Sequence, residues 1–281
     1  MIEQIRPVIT VTELIELQQH ENVVLIDSRY GADSYEQYLK AHLKDALYID
    51  LDRDLADIKE NPKEGGRHPL PVLTEFVKVL NRLGIGNDSR VVIYDNNTGA
   101  FAARMWWMLG AVGHKKVHVL EGGFELSKNT YPVSEGEEKT PLGSNYIAEQ
   151  WNWPMVTMDE VAQYAKTNEW VVVDVRAEER FNGENEPIDL IAGHIPGAIN
   201  IPFKSNFKSG YEFLSPADLK KKYQEVLGTT DVQSMIVHCG SGVTACHTIL
   251  AMAQAQMDLP NLYVGSWSEW SRNEKPMVTD K

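Results

Sequence analysis

The stretch VVLIDSR, residues 23–29, decides the fold, because a close copy of it, VVVDVR, follows at residues 171–176. Both are short runs of mainly β-branched residues that end on Asp and Arg, as expected of buried strands. A Thr with a Glu three residues later precedes each copy, at Thr10 and Thr157. This is the capping-box pattern of a helix start. The two threonines are separated by the same number of residues as the two aspartates, which indicates a tandem duplication.

Three further pairs of segments repeat in the same order. Ala41–Ile49 corresponds to Gly193–Ile201, Arg90–Asp95 to Ser234–Cys239, and Val117–Gly123 to Leu262–Gly265. Sequence repeats in the same order indicate repeated structural units. The sequence therefore predicts a first domain over residues 1–131, a linker over 132–154 that is rich in turn-forming residues, and a second domain over 155–281.

Each half alternates short apolar runs with amphipathic helical patterns such as Val72–Leu83 and Asp218–Leu227. This alternation predicts an α/β fold in which each domain is a parallel sheet flanked by helices. Ligands of such sheets bind beyond the carboxyl ends of the strands. Cys239 falls at such an end in the second half, and Asp95 holds the same position in the first.

The composition is that of an ordinary globular protein, with 281 residues, 43% hydrophobic and 24% charged. The net charge of −13 argues against nucleic acid and anionic membranes as partners. The first residues lack the pattern of a secretory signal, and no apolar run approaches the roughly 20 residues of a membrane span. Only two cysteines are present, so no disulfide framework is expected and a cytoplasmic location is predicted.

Cys239 lies where the strand 235–237 meets a glycine-containing turn, and a helix is expected from Ala245 onward. Successive backbone N–H groups of such a turn point at one atom, and the positive end of the helix dipole adds to them. Both effects stabilise a thiolate, so Cys239 is predicted to be a nucleophile. Cys246 lies inside the helix and is predicted to pack in the core.

Two chemistries place a single cysteine in a loop between strand and helix. Cysteine phosphatases and arsenate reductases need an Arg six residues after the nucleophile to bind a tetrahedral anion. Here the pair His238-Cys239 is present, but Ala245 occupies the position of that Arg. The other chemistry is sulfur transfer, which needs only a tighter loop around one additional sulfur atom.

The segment Cys239-Gly240-Ser241-Gly242-Val243-Thr244 resembles the active loop of the two-domain rhodanese family, in its 3-mercaptopyruvate sulfurtransferase branch. Thiosulfate-specific members carry basic residues after the cysteine. The resemblance covers nearly the whole chain and includes the segments Asp174–Arg176, Arg180-Phe181, Gly193–Ala198, Trp106-Trp107 and Gly265–Trp270. It implies two rhodanese-like domains, of which the first has lost the nucleophile and has Asp95 at the cysteine position. It also implies a ping-pong reaction through a Cys239 persulfide, with no metal and no organic cofactor.

The resemblance also assigns site residues. Arg180 is expected to bind the anionic end of the donor, together with the loop residues Gly240, Gly242, Val243 and Thr244. Ser241, His68 and Asp52 match a group that handles protons, of which His68 and Asp52 come from the first domain. Residues found in both halves, namely Asp27 with Asp174, Arg29 with Arg176 and His42 with His194, are predicted to serve the fold.

One position departs from the family pattern. The mercaptopyruvate branch has a second arginine after Glu-Pro, whereas Glu186-Pro187 is followed here by Ile188. With Arg180 alone, the KM for mercaptopyruvate is expected to be high, since losing a charge-assisted hydrogen bond costs about one to two decades in binding.

The predicted function is transfer of a sulfane sulfur from 3-mercaptopyruvate to a thiol, for example that of a thioredoxin-like protein, or to cyanide. Thiosulfate:cyanide sulfur transfer is the alternative. A phosphatase or arsenate reductase is a third possibility, and a non-catalytic tandem binding module, which would need an inactive second loop, is a fourth.

Overall fold

The computed structural model describes residues 6–140 and 143–280. These residues form two compact units. The first consists of the chain up to Leu55, Pro71–Asn152 and Ser209–Glu212, and the second of Ala56–Leu70, Trp153–Lys208 and the chain from Phe213 onward. Ala56–Leu70 therefore belongs to the second unit, although it precedes most of the first in sequence. The predicted domain boundaries remain a prediction.

The first unit alternates strands and helices in the following order: β1 (Val8–Ile9), α1 (Val11–His20), β2 (Val23–Asp27), α2 (Ser34–Lys40), β3 (His42–Leu43), β4 (Leu47–Tyr48), α3 (Leu51–Asp54), α4 (Leu73–Arg82), β5 (Arg90–Tyr94), α5 (Ala100–Ala111), β6 (Val117–Leu120), α6 (Gly123–Ser127) and β7 (Val133–Ser134).

The second unit follows a similar order: β8 (Met155–Val156), α7 (Met158–Tyr164), β9 (Val171–Asp174), α8 (Glu178–Phe181), β10 (Ile199–Asn200), a 3-10 turn (Phe203–Asn206), α9 (Pro216–Leu227), a 3-10 turn (Val232–Ser234), β11 (Met235–His238), α10 (Val243–Gln254), β12 (Asn261–Tyr263) and α11 (Ser266–Trp270). None of the helices in the described parts of the chain is long and apolar enough to cross a bilayer.

The two sheets have the same topology. Five described strands of the first unit form a parallel sheet in the order β1-β6-β5-β2-β4, and those of the second unit form one in the order β8-β12-β11-β9-β10. In the first unit, β3 and β7 form a separate antiparallel pair. Strands at the same place in the two lists correspond to each other in the tandem sequence repeat. The fold class predicted from the duplication, parallel sheets flanked by helices, is confirmed.

Both predicted capping boxes are present. The Thr10 hydroxyl accepts a hydrogen bond from the backbone N–H of Glu13, whose carboxylate accepts one from the backbone N–H of Thr10, and Thr157 and Glu160 make the same pair. Each box satisfies backbone donors that the first helical turn leaves without partners. Each box begins the helix that follows the first strand of its unit, α1 or α7.

A buried ion pair follows the second strand of each sheet. Arg29 donates from Nε and Nη2 to Asp27 and from Nη2 to the carbonyl of Ala41 at 2.7 Å. Arg176 does the same with Asp174 and with the carbonyl of Gly193, at 2.6 Å. Each guanidinium ties the strand end to the segment before the next strand, so these duplicated residues serve the fold as predicted.

The duplicated histidines also have matching structural contacts. The Nδ1 atom of His42 is 2.9 Å from the carbonyl oxygen of Tyr38, and that of His194 is 2.9 Å from the carbonyl oxygen of Phe181. Each imidazole stacks on the ring of the same residue that provides the carbonyl. These contacts fix a turn in each unit.

His118 makes stability of the first unit depend on pH. Its Nδ1 is 2.6 Å from the carbonyl oxygen of Arg6, while Nη1 of Arg90 lies 2.8 Å from its Nε2. Burial, together with the charge of Arg90, lowers the pKa of His118 to about 4. The unfolded chain therefore binds one more proton between pH 4 and the ordinary histidine pKa of about 6.5.

We expect the free energy of unfolding to fall by up to about 3 kcal/mol as the pH is lowered through this window, and the contribution of His118 to be fully present above it. Urea titrations of the protein and of His118→Gln at several pH values measure the difference, since the variant retains every other titrating group. An identical pH dependence in both proteins would contradict this assignment.

Candidate active site

Cys239 directly follows β11, and its side chain is buried. The loop that follows it is short, because α10 begins at Val243, two residues earlier than predicted. Gly242 precedes the helix with φ +74°, and a Cβ there would lie 2.5 Å from the carbonyl oxygen of Val264. Only glycine fits this position, so the tight turn predicted from the sequence is a requirement of packing.

The helix α11 holds the cysteine loop through its backbone. Trp267 donates its N–H to the carbonyl of Cys239 at 3.0 Å, and Ser268 donates to the carbonyl of Gly240 at 2.8 Å. The hydroxyl of Ser266 accepts the backbone N–H of Cys239 at 3.1 Å. Ser266 has φ +54°, a conformation that costs a non-glycine residue free energy.

In the first unit, the loop that corresponds to the Cys239 loop surrounds a carboxylate. The carboxylate of Asp95, which follows β5, accepts hydrogen bonds from the backbone N–H groups of Asn97, Gly99 and Phe101, at 3.0, 2.8 and 3.0 Å. Burial raises the pKa of Asp95, and these three bonds oppose that shift. A strand–loop–helix unit of this repeat thus presents converging amides to an acidic group at the position that Cys239 has in the second unit.

Two of the predicted proton-handling residues are in contact. Ser241 Oγ lies 2.7 Å from Nδ1 of His68, and both side chains are buried. His68 belongs to the segment Ala56–Leu70 of the second unit. Asp52 lies in α3 of the first unit, where its backbone N–H donates to the carboxylate of Asp50, and its proposed role stays a prediction.

The segment carrying His68 is fixed to α11 by three features. Gly65 donates its N–H to the carboxylate of Glu269 at 2.9 Å, and Arg67 donates its N–H to the hydroxyl of Ser268 at 3.0 Å. Gly66 has φ +80°, and a Cβ there would lie 2.3 Å from the carbonyl oxygen of Gly265. The backbone at Gly66 therefore lies so close to that of Gly265 that no side chain fits between them.

Arg180 lies among other charged side chains, and whether it alone binds the donor stays a prediction. Its guanidinium binds Glu186, with Nε 2.9 Å from both carboxylate oxygens, and Nη2 lies 3.1 Å from Oδ2 of Asp189. Arg67 donates from Nε to Oδ1 of Asp189 at 2.9 Å, and Arg272 from Nη1 to the same oxygen at 3.2 Å. We call Arg67, Arg180, Arg272, Glu186 and Asp189 the arginine cluster. The side chain of Ile188 is 53% exposed, and its backbone N–H donates to the carboxylate of Glu186 at 3.1 Å.

The side chains of Glu186 and Asp189, the acidic members of the cluster, are buried. Burial opposes ionisation of Glu186, but hydrogen bonds from Arg180 and from the backbone N–H of Asp189 outweigh it and hold the pKa of Glu186 below its ordinary value. Nη1 of Arg176 also lies 3.2 Å from Glu186, which connects the cluster to the buried pair with Asp174.

The remaining predicted residues lie around the loop. Val243 and Thr244 form the first turn of α10, with Val243 buried. Cys246 is also buried in α10, and its Sγ lies 3.1 Å from the carbonyl oxygen of Gly242, as expected of a packing residue. Their roles toward a substrate remain predictions.

Sequence reasoning missed Arg67, Asp189, Arg272 and Ser266. Arg67 lies next to His68, which was a candidate, but its partner Asp189 lies far along the chain and follows no periodic pattern. One feature of the sequence points to Ser266: it aligns with Gly123 of the first repeat. Both residues have a positive φ in the structure.

A family model described as "Rhodanese-like domain" matches residues 10–130 and again residues 157–273. The chain belongs to this family, and the predicted tandem of two such domains is confirmed. Each match begins directly after the first strand of its sheet, β1 or β8, and covers the other four strands of that sheet.

The relatives are enzymes. The chain is 38% identical over 259 residues to a Pseudomonas aeruginosa protein named "Probable 3-mercaptopyruvate sulfurtransferase", covering 91% of this chain and 89% of that one. It is 33% identical over 251 residues to the thiosulfate sulfurtransferase of Gallus gallus, covering 87% and 83%. The crystal structure of SseA from Escherichia coli, described among "3-mercaptopyruvate sulfotransferases", has a TM-score of 0.78 at 29% identity and covers 94% of this chain and 99% of its own. The predicted enzyme class, a sulfurtransferase, is confirmed.

The close approach at Gly66 generates a prediction. Gly66→Ala should displace the segment that carries His68, since the new Cβ would overlap the carbonyl of Gly265, and a displacement of about 1 Å lowers turnover by roughly a hundredfold. Gly113→Ala is the matched control, because Gly113 has φ +87° but no atom within 4 Å of the added carbon. The rate of sulfur transfer and the urea midpoint are measured for both. Equal losses of rate would show that the approach at Gly66 is unimportant.

Proposed function

We propose that the chain transfers the sulfur atom of 3-mercaptopyruvate to a thiol acceptor or to cyanide through a persulfide on Cys239. One observation carries the choice of donor: the buried contact of 2.7 Å between Ser241 and His68, two residues along the loop from the thiol. A hydroxyl paired with an imidazole can relay a proton. Mercaptopyruvate needs such a relay, and thiosulfate does not.

The first half-reaction begins with attack of the Cys239 thiolate on the sulfur of mercaptopyruvate. The new S–S bond forms as the bond between that sulfur and carbon 3 breaks, and its electron pair leaves on carbon 3 as the enolate of pyruvate. Carbon 3 then takes up the proton that the transferred sulfur gives up, so Cys239 is left as a persulfide anion and pyruvate departs. No external oxidant or reductant is required.

The Ser241–His68 pair is suited to this proton transfer. The hydroxyl of Ser241 can donate to the enolate while Nδ1 of His68, 2.7 Å away, takes part in restoring its proton. Burial of both side chains keeps bulk water from competing as the proton source. Asp52 is included as a third member only because its sequence position matches that of the family aspartate.

In the second half-reaction, an acceptor attacks the outer sulfur of the persulfide and the Cys239 thiolate leaves. The acceptor is a small thiol, a protein thiol such as that of a thioredoxin-like protein, or cyanide, which becomes thiocyanate. The converging amides seen around Asp95 support a loop in the second repeat that stabilises the departing thiolate. The proposed location is the cytoplasm, where acceptor thiols stay reduced.

Thiosulfate is the second candidate donor. It is favoured by the anion-binding character of Arg180 and by similarity to a relative named for that donor. Sulfite leaves with its electron pair and without a proton, so the Ser241–His68 pair has no part in that reaction.

The proposal predicts that only one cysteine carries sulfur. Cys239→Ser should abolish transfer from either donor, whereas Cys246→Ser should retain it, because the packing cysteine can be replaced by a residue that keeps the hydrogen bond to Gly242. Peptide mass spectra after donor treatment without acceptor should place one added sulfur atom on the Cys239 peptide. Full activity of Cys239→Ser, or sulfur on the Cys246 peptide, would overturn the mechanism.

The donor is tested by comparing kcat/KM for 3-mercaptopyruvate and thiosulfate in the unmodified protein and in Ser241→Ala and His68→Gln. We expect mercaptopyruvate to be preferred, and both variants to lower its kcat by about 10²-fold or more, as for loss of general acid–base catalysis. The kcat for thiosulfate should change by less than about tenfold. Equal losses for the two donors would give the pair a structural role only, and hydrolysis of an aryl phosphate would support the phosphatase alternative.

A further inference from the structure

The first unit has a cleft of its own, with a volume of about 200 Å³. Its walls come from α2, β4, α3, the end of α4 and the segment that follows β7. Pockets for drug-sized ligands have roughly 300–1,000 Å³, so a molecule that fits this cleft is small. The described residues that line it include none of those assigned to sulfur transfer.

Three tyrosine rings line the cleft and contact one another. The ring centroid of Tyr48 is 5.2 Å from that of Tyr35 and 5.3 Å from that of Tyr38. Tyr38 donates its hydroxyl to the carbonyl of Ala46 at 3.0 Å, and the hydroxyl of Tyr48 lies 2.8 Å from that of Ser34. These bonds fix two of the rings. Tyr35 is 41% exposed, so the cleft presents an aromatic surface that a ligand can reach.

Two guanidinium groups that share one carboxylate also line the cleft. Arg53 donates from Nε and Nη2 to Asp54 at 3.1 and 2.9 Å, and Arg82 donates from Nη2 to Asp54 at 2.8 Å. Asp54 is buried and also accepts the backbone N–H of Asp50, so both its oxygens are occupied. The side chains of Arg53 and Arg82 are 62% and 47% exposed. In the part of the chain that the structure describes, Nη1 of Arg53 and Nε and Nη1 of Arg82 have no hydrogen-bond partner, so they remain as donors for a ligand.

Glu137 and Glu138 line the cleft as well, but they are less available to a ligand. Oε1 of Glu138 accepts the backbone N–H of Asp45 at 3.3 Å and lies 3.3 Å from Nε2 of His42. Burial raises the pKa of Glu138, but the bonds with His42 and Asp45 outweigh burial and keep this pKa below its ordinary value. Glu137 is exposed, so water surrounds its carboxylate. The guanidinium groups, which retain unused donors, therefore favour an anion in the cleft.

We propose that this cleft binds a small aromatic carboxylate, whose ring packs against Tyr35 and whose carboxylate accepts hydrogen bonds from Arg53 and Arg82. A planar carboxylate matches the fork of a guanidinium, and an aryl ring gains free energy from contact with a second ring. Asp54 is the positioning residue that keeps the two guanidinium groups beside each other. Binding here requires none of the residues proposed for sulfur transfer.

The probe is 4-fluorobenzoate, and its binding to the full chain is followed by the line width of its fluorine resonance in NMR spectra. We expect a Kd of about 1 mM or lower, which a ligand of about ten non-hydrogen atoms can reach. Acetate carries the charge without the ring, so in competition it should bind at least about tenfold more weakly. 4-Fluorobenzylamine has the ring and the opposite charge. Tighter binding of this amine than of the carboxylate would overturn the inference, because the glutamates would then determine the ligand.

Arg82→Ala should raise the Kd of 4-fluorobenzoate by about ten- to hundredfold, the loss expected for a charge-assisted hydrogen bond. Lys78→Ala is the matched control, because it removes the same charge from α4 at a residue that pairs with Glu75 and does not line the cleft. It should change the Kd by less than about threefold. Tyr35→Ala should weaken binding of 4-fluorobenzoate by about tenfold and leave that of acetate unchanged. Urea titrations establish first that each variant is folded.

The measurements are repeated in an Arg180→Ala background, because Arg180 is the other guanidinium proposed to bind an anion. The effect of Arg82→Ala should be the same there. Absence of binding in the unmodified protein would overturn the inference, as would an unchanged Kd in Arg82→Ala or an equal effect of Lys78→Ala. If Arg82→Ala does not fold, an unchanged Kd in Tyr35→Ala overturns it.

Discussion

The buried pair of Asp174 and Arg176 is the interaction on which the site depends. Arg176 is held by Asp174, stacks over the ring of Trp267 with 4.6 Å from its carbon to the centroid, and contacts Glu186. Glu186 binds Arg180, and Arg180 shares Asp189 with Arg67. Ion pairs thus continue from the end of the central strands to the accessible guanidinium groups. Removing one partner of a buried pair costs about 3–5 kcal/mol, because the other charge remains buried. Arg180 and Arg67, the more exposed members of this series of ion pairs, are therefore positioned by buried pairs whose disruption costs much free energy of unfolding.

The first unit has the same buried pair without the site. Arg29 binds Asp27 and lies over the ring of Phe124, with 4.5 Å from its carbon to the centroid, as Arg176 lies over Trp267. Its loop holds the carboxylate of Asp95 rather than a thiol. The pair and the strand order, which both units share, are thus properties of the fold. Cys239 and the arginine cluster belong to the second unit, and an acidic side chain, Asp95, holds the position of Cys239 in the first.

The sequence predicted the features that are local or repeated. The spacing of Thr10 and Thr157 gave the register of the duplication, and the pattern at Val72–Leu83 located α4 at Leu73–Arg82. The start of α10 was placed two residues late, because Val243 and Thr244 are poor helix formers by intrinsic propensity and the packing of Gly242 decides where the helix begins. Contacts such as that between Arg67 and Asp189 had no sequence signal. They depend on where Ala56–Leu70 packs, which neither periodicity nor spacing specifies.

The last helix of each repeat, α6 or α11, makes the same backbone contacts but different side-chain contacts. In the first unit, Phe124 and Glu125 donate their N–H groups to the carbonyls of Asp95 and Asn96, at 2.8 and 2.9 Å. In the second unit, Trp267 and Ser268 make the corresponding bonds to Cys239 and Gly240. The backbone therefore holds the loop in both copies. The side chains differ: the hydroxyl of Ser268 and the carboxylate of Glu269 bind the segment with Arg67 and His68, whereas the residues aligned with them are Glu125 and Leu126. One short helix thus holds the loop of Cys239 through its backbone amides and the segment of Arg67 and His68 through its side chains. The position of Cys239 relative to that segment is therefore fixed by consecutive residues of α11.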